Sequence, residues 1–149
     1  MLMEAKTPDA RAPITIAVDI GYEENCKKVV EELLKEYGQI DILVNNAAEQ
    51  HFNSVEEITE SRLERVFQTN IFSQFFMCRH ALKHMKQVLE KSSIINSTSV
   101  TAYTRAPTLL DYCGTKGAIV AFSRSLALQL VEKGIRFNCV APGAVWTPL

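Results

Sequence analysis

Three residues that can take part in proton transfer lie within a short stretch of this sequence: Ser99, Tyr112 and Lys116. Tyr112 and Lys116 are four residues apart, so on a helix they lie on one face, one turn from each other. A phenol has a pKa of about 10, and we expect a nearby ammonium group to lower the pKa of Tyr112. Ser99 lies thirteen residues before Tyr112 and follows the run 93–96, which is predicted as a buried strand. Together the three side chains could move a proton to or from a carbonyl or alcohol oxygen.

The elements that would position these residues alternate along the chain. Runs rich in apolar and β-branched residues predict strands at residues 14–18, 40–44, 93–97 and 135–140. Apolar residues at helical spacing predict helices at residues 22–37, from about 61 to about 89, and from about 111 to 133. Ser54 and Glu57 fit a capping box. The alternation predicts an α/β fold, a partial doubly wound parallel sheet with helices on both faces.

Composition and charge narrow the class of partner. The chain has 149 residues, 47% of them hydrophobic and 22% charged, and a formal net charge of −1. A nearly neutral protein gives no reason to expect nucleic acid or an anionic membrane surface as partner. No apolar run reaches the roughly 18 residues of a membrane span, and the first residues lack the apolar core of a signal peptide. We therefore predict no nucleic acid and no membrane as partner. The predicted compartment is the cytoplasm, or the chloroplast if a transit peptide has been lost from the N-terminus.

The cysteines and histidines do not form a metal-binding pattern. Four cysteines are widely spaced and fit neither zinc-site nor Cys-x-x-Cys spacing: Cys26, Cys78, Cys113 and Cys139. His80 and His84 lie four residues apart, but no further ligands accompany them in the sequence. We therefore predict no metal site, and we assign most of the cysteines to core packing in a reducing compartment.

The Ser-(12 residues)-Tyr-x-x-x-Lys spacing, placed between a strand and a helix, resembles the short-chain dehydrogenase/reductase family. Further segments agree with the family at residues 45–48 (Asn-Asn-Ala-Ala), 69–72 (Thr-Asn-Ile-Phe), 141–143 (Ala-Pro-Gly) and 147–149 (Thr-Pro-Leu). Residues 45–51, 110–112 and 146–149 look most like the plant glucose and ribitol dehydrogenase homologues, also described as NADPH-dependent aldehyde reductases. The resemblance covers nearly the whole chain from residue 14 onward.

The resemblance implies a role for each of four catalytic residues. Tyr112 would exchange the proton at the substrate oxygen, and Ser99 would form a hydrogen bond with that oxygen. Lys116 would lower the pKa of Tyr112 and bind the nicotinamide ribose. Asn70, which the sequence places in the middle of a helix, would hold a water in the proton relay.

The resemblance also implies a cofactor, NADP or NAD, with NADPH favoured. Asp19 and Ile20 would contact the adenine, and Asn46 and Ala47 would line the cofactor channel. Tyr112 and Lys116, which are also catalytic residues, would contact the cofactor. Three residues would lie along the nicotinamide and its amide: Pro142, Gly143 and Thr147.

One feature of a dinucleotide-binding sheet is not found in the sequence. The six glycines form neither Gly-x-x-x-Gly-x-Gly nor Gly-x-Gly-x-x-Gly, the turn that seats a pyrophosphate on a helix N-terminus. By resemblance, residues 1–149 form a single partial Rossmann-type domain that lacks the first glycine-rich βαβ unit and the C-terminal strand. The predicted strand 14–18 then either pairs directly with the strand 40–44 or belongs to a truncated product.

The leading interpretation is an NAD(P)-dependent oxidoreductase that interconverts an aldehyde, ketone or sugar and the corresponding alcohol, with Tyr112 as general acid/base. Its partner would be a small carbonyl or sugar-alcohol substrate. The alternative is a non-catalytic truncated fragment, or an interaction module that uses the two long helices and retains the active-site residues. By resemblance, the same two helices could also join copies of the chain into a homo-oligomer.

Overall fold

The protein is described by a computed structural model that covers residues 11–86 and 92–146. Three strands form one parallel sheet in the order β1 (Ile42–Asn45), β2 (Ser92–Ser97) and β3 (Ile135–Val140). The longer helices are α1 (Glu23–Tyr37), α2 (Glu60–Phe67), α3 (Ser73–Ala81) and α4 (Leu110–Leu130). Four short turns of helix complete the described elements: Val55–Glu57, Gln68–Phe72, Val100–Ala102 and Val131–Lys133.

The helices pack against one face of this sheet. Leu43, Ile94 and Phe137 lie side by side in the parallel register and point into the core, since side chains alternate between the faces of a strand. Buried side chains from three helices complete the core: Val30, Cys78, Ala81 and Leu130. On the other face, Ile42 and Val44 are 63% and 56% exposed. The α/β fold with a parallel sheet is confirmed, but within the described residues the helices do not cover both faces as predicted.

The helix ends follow the expected chemistry. Gly38 ends α1 in the left-handed region (φ 79°), and its N–H donates to the carbonyl oxygen of Leu34 at 2.8 Å. The hydroxyl of Thr59 accepts a hydrogen bond from the N–H of Arg62 and so begins α2. The predicted capping box of Ser54 and Glu57 forms, but it opens a single 3-10 turn, and the longer helix starts after it.

The prediction of a strand at residues 14–18 is wrong. Residues 11–19 have no regular secondary structure, and they do not pair with β1. A strand needs a neighbour for its backbone N–H and C=O groups, and these residues have none among the described strands. The start of this segment contacts α1 instead. The Arg11 guanidinium donates to the carbonyl oxygens of Glu36 and Tyr37.

The helix predicted from about 61 to about 89 is interrupted and shorter. It consists of α2, a π-helical turn (Gln68–Phe72) and α3, which ends at Ala81. Met85 then forms a parallel bridge with Ile40, so the chain has left the helix and turned back toward the sheet. The end of the predicted helix, residues 87–89, lies outside the described residues. The helix predicted at 111–133 is confirmed as α4 with the short turn Val131–Lys133 after it.

Candidate active site

The loops that follow the three strands meet at one edge of the sheet. The N–H of Thr98 donates to the carbonyl oxygen of Val140 at 2.8 Å, and the N–H of Val100 donates to that of Pro142 at 3.0 Å. The Ser97 hydroxyl donates to the Asn46 side-chain oxygen at 2.7 Å. The structure therefore brings the predicted residues Asn46 and Pro142 next to the loop that begins at Ser99. In open α/β sheets this carboxyl edge is where ligands bind.

Tyr112 lies in the first turn of α4 and is 9% exposed. Burial opposes formation of the phenolate and raises the pKa of Tyr112, while hydrogen bonding with the Ser99 side chain acts in the opposite direction and is the weaker effect. Ser99 is itself buried, and its hydroxyl accepts a hydrogen bond from the N–H of Thr101 at 3.2 Å. The serine and the tyrosine are therefore brought together as predicted.

Lys116 is 2% exposed, and its ammonium group donates to the carbonyl oxygen of Ser97 at 2.8 Å. Its Nζ lies over the ring of Tyr112, 5.2 Å from the ring centroid. Burial lowers the pKa of Lys116 to about 8. The predicted lowering of the Tyr112 pKa is not found in this arrangement, because the phenol is buried and the ammonium is directed to a main-chain carbonyl rather than to the phenol oxygen.

Asn70 lies in the π-helical turn and is fully buried. Its Oδ1 accepts from the N–H of Glu49 at 2.8 Å, and its Nδ2 donates to the Glu49 carbonyl oxygen at 2.9 Å and to the Thr115 hydroxyl at 3.1 Å. The Thr115 hydroxyl donates in turn to the carbonyl oxygen of Tyr112 at 2.7 Å. Both amide hydrogens of Asn70 are used, so this side chain could bind a water only through the remaining lone pair of Oδ1.

The residues predicted to line the cofactor form an open surface at the same edge. Asn46, Ala47, Pro142 and Gly143 are exposed, and a Cβ added at Gly143 would meet no atom within 4 Å. Within the described residues, the Lys116 ammonium donates only to Ser97, so two of its three N–H groups are available to hydroxyl groups of a ribose. Space and donors at this edge therefore fit a nicotinamide nucleotide. Thr147 lies outside the described residues.

Asp19 and Ile20 lie apart from this cluster, in the segment before α1. The Oδ1 of Asp19 accepts from the N–H of Gly21 at 2.9 Å, and its Oδ2 lies 2.6 Å from the Arg65 guanidinium. The arginine and the Gly21 N–H hold the pKa of Asp19 below its usual range. The carbonyl oxygen of Ile20 accepts from the Cys26 thiol at 3.1 Å, which fixes the segment to α1.

Three residues of this arrangement were not identified from the sequence: Glu49, Arg65 and Thr115. Glu49 lies inside the segment 45–51 that carries the family resemblance, but no chemical role follows from its position in the sequence. Arg65 meets Asp19 across 46 residues of chain, which no local pattern reveals. Thr115 has a weak signal in the sequence. It lies three residues after Tyr112 on the predicted helix, and a threonine there can donate to the Tyr112 carbonyl oxygen.

Residues 11–86 and 92–146 contain neither a metal-binding cluster nor a membrane-spanning helix. No group of three or more His, Cys, Asp and Glu side chains in these ranges is placed to hold a metal ion. Their helices are too short or too polar to cross a bilayer. The four cysteines are free thiols, and Cys26 and Cys78 are buried.

Comparison with known proteins identifies relatives along the whole chain. A family model for short chain dehydrogenase matches residues 2–149. NADPH-dependent aldehyde reductase 1, chloroplastic, of Arabidopsis thaliana is 65% identical over 100% of this chain and 51% of its own length. Glucose and ribitol dehydrogenase of Daucus carota is 61% identical over 100% of this chain and 50% of its own length. The structure of 3-ketoacyl-(acyl-carrier-protein) reductase from Brucella melitensis complexed with NADH matches with a TM-score of 0.84 and 32% identity, covering 89% of this chain and 57% of that one.

These matches confirm the resemblance that residues 45–51 and the Ser-Tyr-Lys spacing indicated. The chain spans about half the length of the curated relatives it matches. The match of the family model to nearly every residue, together with the parallel sheet and the Ser99, Tyr112 and Lys116 cluster at its carboxyl edge, places the chain in the short-chain dehydrogenase family.

Proposed function

We propose that the protein is an NAD(P)-dependent oxidoreductase that reduces an aldehyde, ketone or sugar to the corresponding alcohol, or catalyses the reverse reaction. The observation that carries this proposal is the cluster of Ser99, Tyr112 and Lys116 at the carboxyl edge of the sheet. Ser99 lies close enough to Tyr112 to lower its pKa against the larger effect of burial, and the Lys116 ammonium lies over the Tyr112 ring. These are the groups that an exchange of a proton at a carbonyl oxygen requires.

Tyr112 acts as the general acid in the reducing direction. Its raised pKa keeps the phenol protonated near neutral pH, which is the form that donates a proton to a substrate oxygen. The Ser99 hydroxyl donates a second hydrogen bond to that oxygen and holds it against the phenol. When bound, a nicotinamide cofactor supplies or accepts the hydride, and the chain's own residues orient the substrate and move the proton.

The proposed cofactor is NADP or NAD, with NADPH favoured. Support comes from the Arabidopsis relative, which is named an NADPH-dependent aldehyde reductase, and from the NADH complex of the Brucella reductase. Lys116 binds the nicotinamide ribose through the two N–H groups that Ser97 leaves free. Asn46, Ala47, Pro142 and Gly143 form the surface along which the nicotinamide half lies, with Thr147 as a further predicted contact.

The proposed substrate is a small aldehyde or a sugar. The names of the two plant relatives, an aldehyde reductase and a glucose and ribitol dehydrogenase, support both classes. The same relatives bear on the compartment. The cytoplasm and the chloroplast are the compartments we predict, and the chloroplastic relative supports the second. A fluorescent fusion observed in leaf cells distinguishes them.

The test of the proposed reaction compares two substitutions, each of which removes only the hydroxyl group of a tyrosine. Tyr112→Phe removes the proton donor and is expected to abolish reduction of an aldehyde while NADPH binding remains within about threefold, since the ring stays in place. Tyr103→Phe, at a tyrosine that is 59% exposed, is the matched control and should turn over normally. Near-normal turnover of Tyr112→Phe contradicts the role of the phenol.

In the alternative interpretation, the protein retains the active-site residues but does not bind the cofactor tightly. The six glycines of these 149 residues form no glycine-rich phosphate turn, so dinucleotide binding by this stretch of chain is the property to measure. Calorimetric titration of the 149-residue chain with NADPH and NADH separates the two functions. Micromolar binding of an intact dinucleotide supports the oxidoreductase, and binding orders of magnitude weaker supports the alternative.

We also propose that copies of the chain associate through α3 and α4, as the interaction-module alternative requires. An apolar groove lies between these helices, and its lining includes Phe72, Phe75, Phe122 and Leu126. Phe75 and Phe122 stack with ring centroids 3.9 Å apart, and Phe75 is still 49% exposed. Exposed aromatic surface of this kind marks association sites.

Sedimentation velocity tests this association. Phe75→Glu should convert an oligomer into monomers, because a carboxylate in a desolvated aromatic contact is strongly unfavourable. Phe52→Glu, at a phenylalanine in a loop that is 74% exposed, is the matched control and should leave the oligomer intact. A wild-type protein that is monomeric at tens of micromolar contradicts the proposal.

A further inference from the structure

Arg65, on α2, contacts two segments that approach it from different parts of the chain. Its Nη1 lies 2.6 Å from the Oδ2 of Asp19, and its Nε lies 3.3 Å from the Oε1 of Glu49. Asp19 belongs to the segment before α1, and Glu49 belongs to the loop that follows β1. One guanidinium therefore joins a segment with no regular structure to a loop that starts at the sheet.

The segment around Asp19 also packs closely on α2. Gly21 is buried although Asp19 and Tyr22 are exposed. A Cβ added at Gly21 would lie 3.1 Å from Asp19 Oδ1, 3.3 Å from Arg65 Nη1 and 3.3 Å from Gln68 Cβ. The lack of a side chain at Gly21 thus lets the backbone approach the guanidinium. The Asp19 carboxylate also accepts a hydrogen bond from the Gly21 N–H.

The loop on the other side of Arg65 is fixed to the candidate active site. Both backbone groups of Glu49 are hydrogen-bonded to the side chain of Asn70, which also donates to Thr115. Thr115 is bonded to the carbonyl oxygen of Tyr112. A continuous series of contacts therefore runs from Asp19 through Arg65, Glu49 and the Asn70–Thr115 pair to the turn of α4 that carries the proposed proton donor.

We propose that Arg65 is a positioning residue that holds segment 19–21 and loop 46–50 in one arrangement, so that the adenosine half of the cofactor meets a preformed surface. This inference rests on the proposed function, which needs a bound dinucleotide, and on the family resemblance, which assigns Asp19 and Ile20 to its adenine. Arg65 does not need to touch the cofactor. It acts through Asp19, whose carboxylate it holds, and through Glu49.

The geometry also explains why a lysine would not replace this arginine fully. The guanidinium reaches two carboxylates at once with two different nitrogens of its planar fork, Nη1 and Nε. An ammonium on a flexible stem is a single point charge and cannot keep the same two directions. We therefore expect Arg65→Lys to restore part of the effect that Arg65→Gln removes.

The test measures binding of two probes, NADPH and reduced nicotinamide mononucleotide, which lacks the adenosine half. Arg65→Gln should weaken NADPH binding about fivefold, the effect of losing two partly exposed ion pairs, and should leave binding of the mononucleotide unchanged. Arg65→Lys should lie between wild type and Arg65→Gln. A role limited to folding would weaken both probes equally, or neither, and either result overturns the inference.

Arg62→Gln is the matched control. Arg62 lies on the same helix and donates to the Oδ1 of Asn53 at 2.6 Å, but it contacts neither Asp19 nor Glu49. Its loss should leave the affinities for both probes unchanged. Gly21→Ala provides a second variant without a charge change, since the added methyl group crowds Asp19 and Arg65, and it should act in the same direction as Arg65→Gln.

Hydrogen exchange of the free protein separates this inference from the proposed function. Arg65→Gln should accelerate exchange at the amide of Gly21, which depends on Asp19 being held in place. It should leave the amides within β2 unchanged. Unchanged exchange at Gly21 overturns the inference even if NADPH binds, whereas accelerated exchange in a protein that binds no NADPH supports the positioning contact and overturns the proposed function.

Discussion

The cluster around Tyr112 and the segment 19–21 carry the two ends of the predicted site, and different kinds of contact hold them. Tyr112 and Lys116 are buried, and the Lys116 ammonium donates to the carbonyl oxygen of Ser97 at the end of β2. The Thr98 hydroxyl, just after β2, donates to the Lys116 carbonyl oxygen and anchors the helix. Asp19 is exposed and is held chiefly by a partly exposed ion pair with Arg65. Buried main-chain bonds persist at high salt, whereas an exposed ion pair is screened.

The two ends also differ in how their charged residues contribute to the free energy of unfolding. Holding Lys116 in a buried position costs stability, because its ammonium loses solvation and gains one carbonyl partner. Holding Asp19 gains a little stability, since its charge stays in contact with water and meets an opposite charge. The proposed nicotinamide end is therefore preorganised at a cost in stability. The proposed adenosine end is held by a contact that stabilises the fold only slightly.

The largest effect that distinguishes the two ends is expected from Lys116→Ala. Turnover should fall by about 10²- to 10⁴-fold, because the ammonium next to the phenol is lost. NADPH binding should weaken as well, since the same group is proposed to bind the ribose. Lys116→Arg should not restore full activity, because a planar fork does not replace a compact point charge. Steady-state kinetics and calorimetry measure both effects.

Lys133→Ala is the control for this substitution, since Lys133 is exposed in the short turn that follows α4. It should have normal turnover and normal NADPH affinity. If Lys116→Ala changed neither cofactor affinity nor the pH dependence of the rate, the proposed pairing of Lys116 with Tyr112 and the cofactor would be wrong.

The second effect concerns the pH dependence of stability. The pKa of Lys116 is about 8 in the folded protein and 10.5 in the unfolded reference. Between these values the unfolded chain binds the proton and the folded chain does not, so the free energy of unfolding rises with pH, by about 3 kcal/mol over the interval. Below about pH 8 both states are protonated and the full cost of burying the charge remains.

Urea unfolding of wild type and Lys116→Met at pH 7.5 and 10.5 measures this term. Other titrating groups are shared by the two proteins and cancel in the difference. The stability of wild type relative to the variant should increase between the two pH values by about 3 kcal/mol. An equal pH dependence in both proteins would mean that Lys116 is solvated in the folded state, and the contrast with Asp19 would disappear.

The third effect tests the bond between the two helices that carry Asn70 and Tyr112. Thr115→Val keeps the shape of the side chain but leaves the buried Asn70 amide without one acceptor. The free energy of unfolding should fall by about 1–3 kcal/mol. Thr108→Val, at an exposed threonine, is the control and should change stability by less than about 0.5 kcal/mol. Equal effects of the two substitutions would show that the Asn70–Thr115 bond contributes nothing.

The sequence predicts the buried end of the site better than the exposed end, for physical reasons. Tyr112 and Lys116 are four residues apart on one helix, and Ser99 follows a strand, so local spacing is enough to bring them together. The contact of Arg65 with Asp19 joins residues 46 positions apart and has no local signature. Local spacing also does not report burial, and burial is what raises the pKa of Tyr112 where the sequence predicts a lowering.

The fold shows the same division. The periodicity of apolar residues predicts the helix at 110–130 and the strands β2 and β3. Each of them buries its apolar face against elements that are adjacent to it along the chain. The strand predicted at 14–18 is wrong because β-branched composition says nothing about whether a partner strand is present. The π-helical turn around Asn70 was missed because apolar periodicity continues through it, while the contacts of Asn70 with Glu49 are made across 21 residues.

The smallest effect is expected at the exposed end. Asp19→Asn should lower the free energy of unfolding by less than about 1 kcal/mol at pH 7, because the ion pair with Arg65 is partly exposed and screened. The pKa of Asp19 is lower in the folded protein than its unfolded value of 3.8, so this contribution is present above pH 3.8 and is lost as the pH falls through the folded pKa. It should also shrink in 1 M NaCl, where the Debye length is about 3 Å. Urea unfolding of Asp19→Asn, with the exposed Asp41→Asn as control, measures the difference. A loss larger than that of Thr115→Val, or one insensitive to salt, would mean that segment 19–21 is held as firmly as the Tyr112 cluster, and the distinction between the two ends would fail.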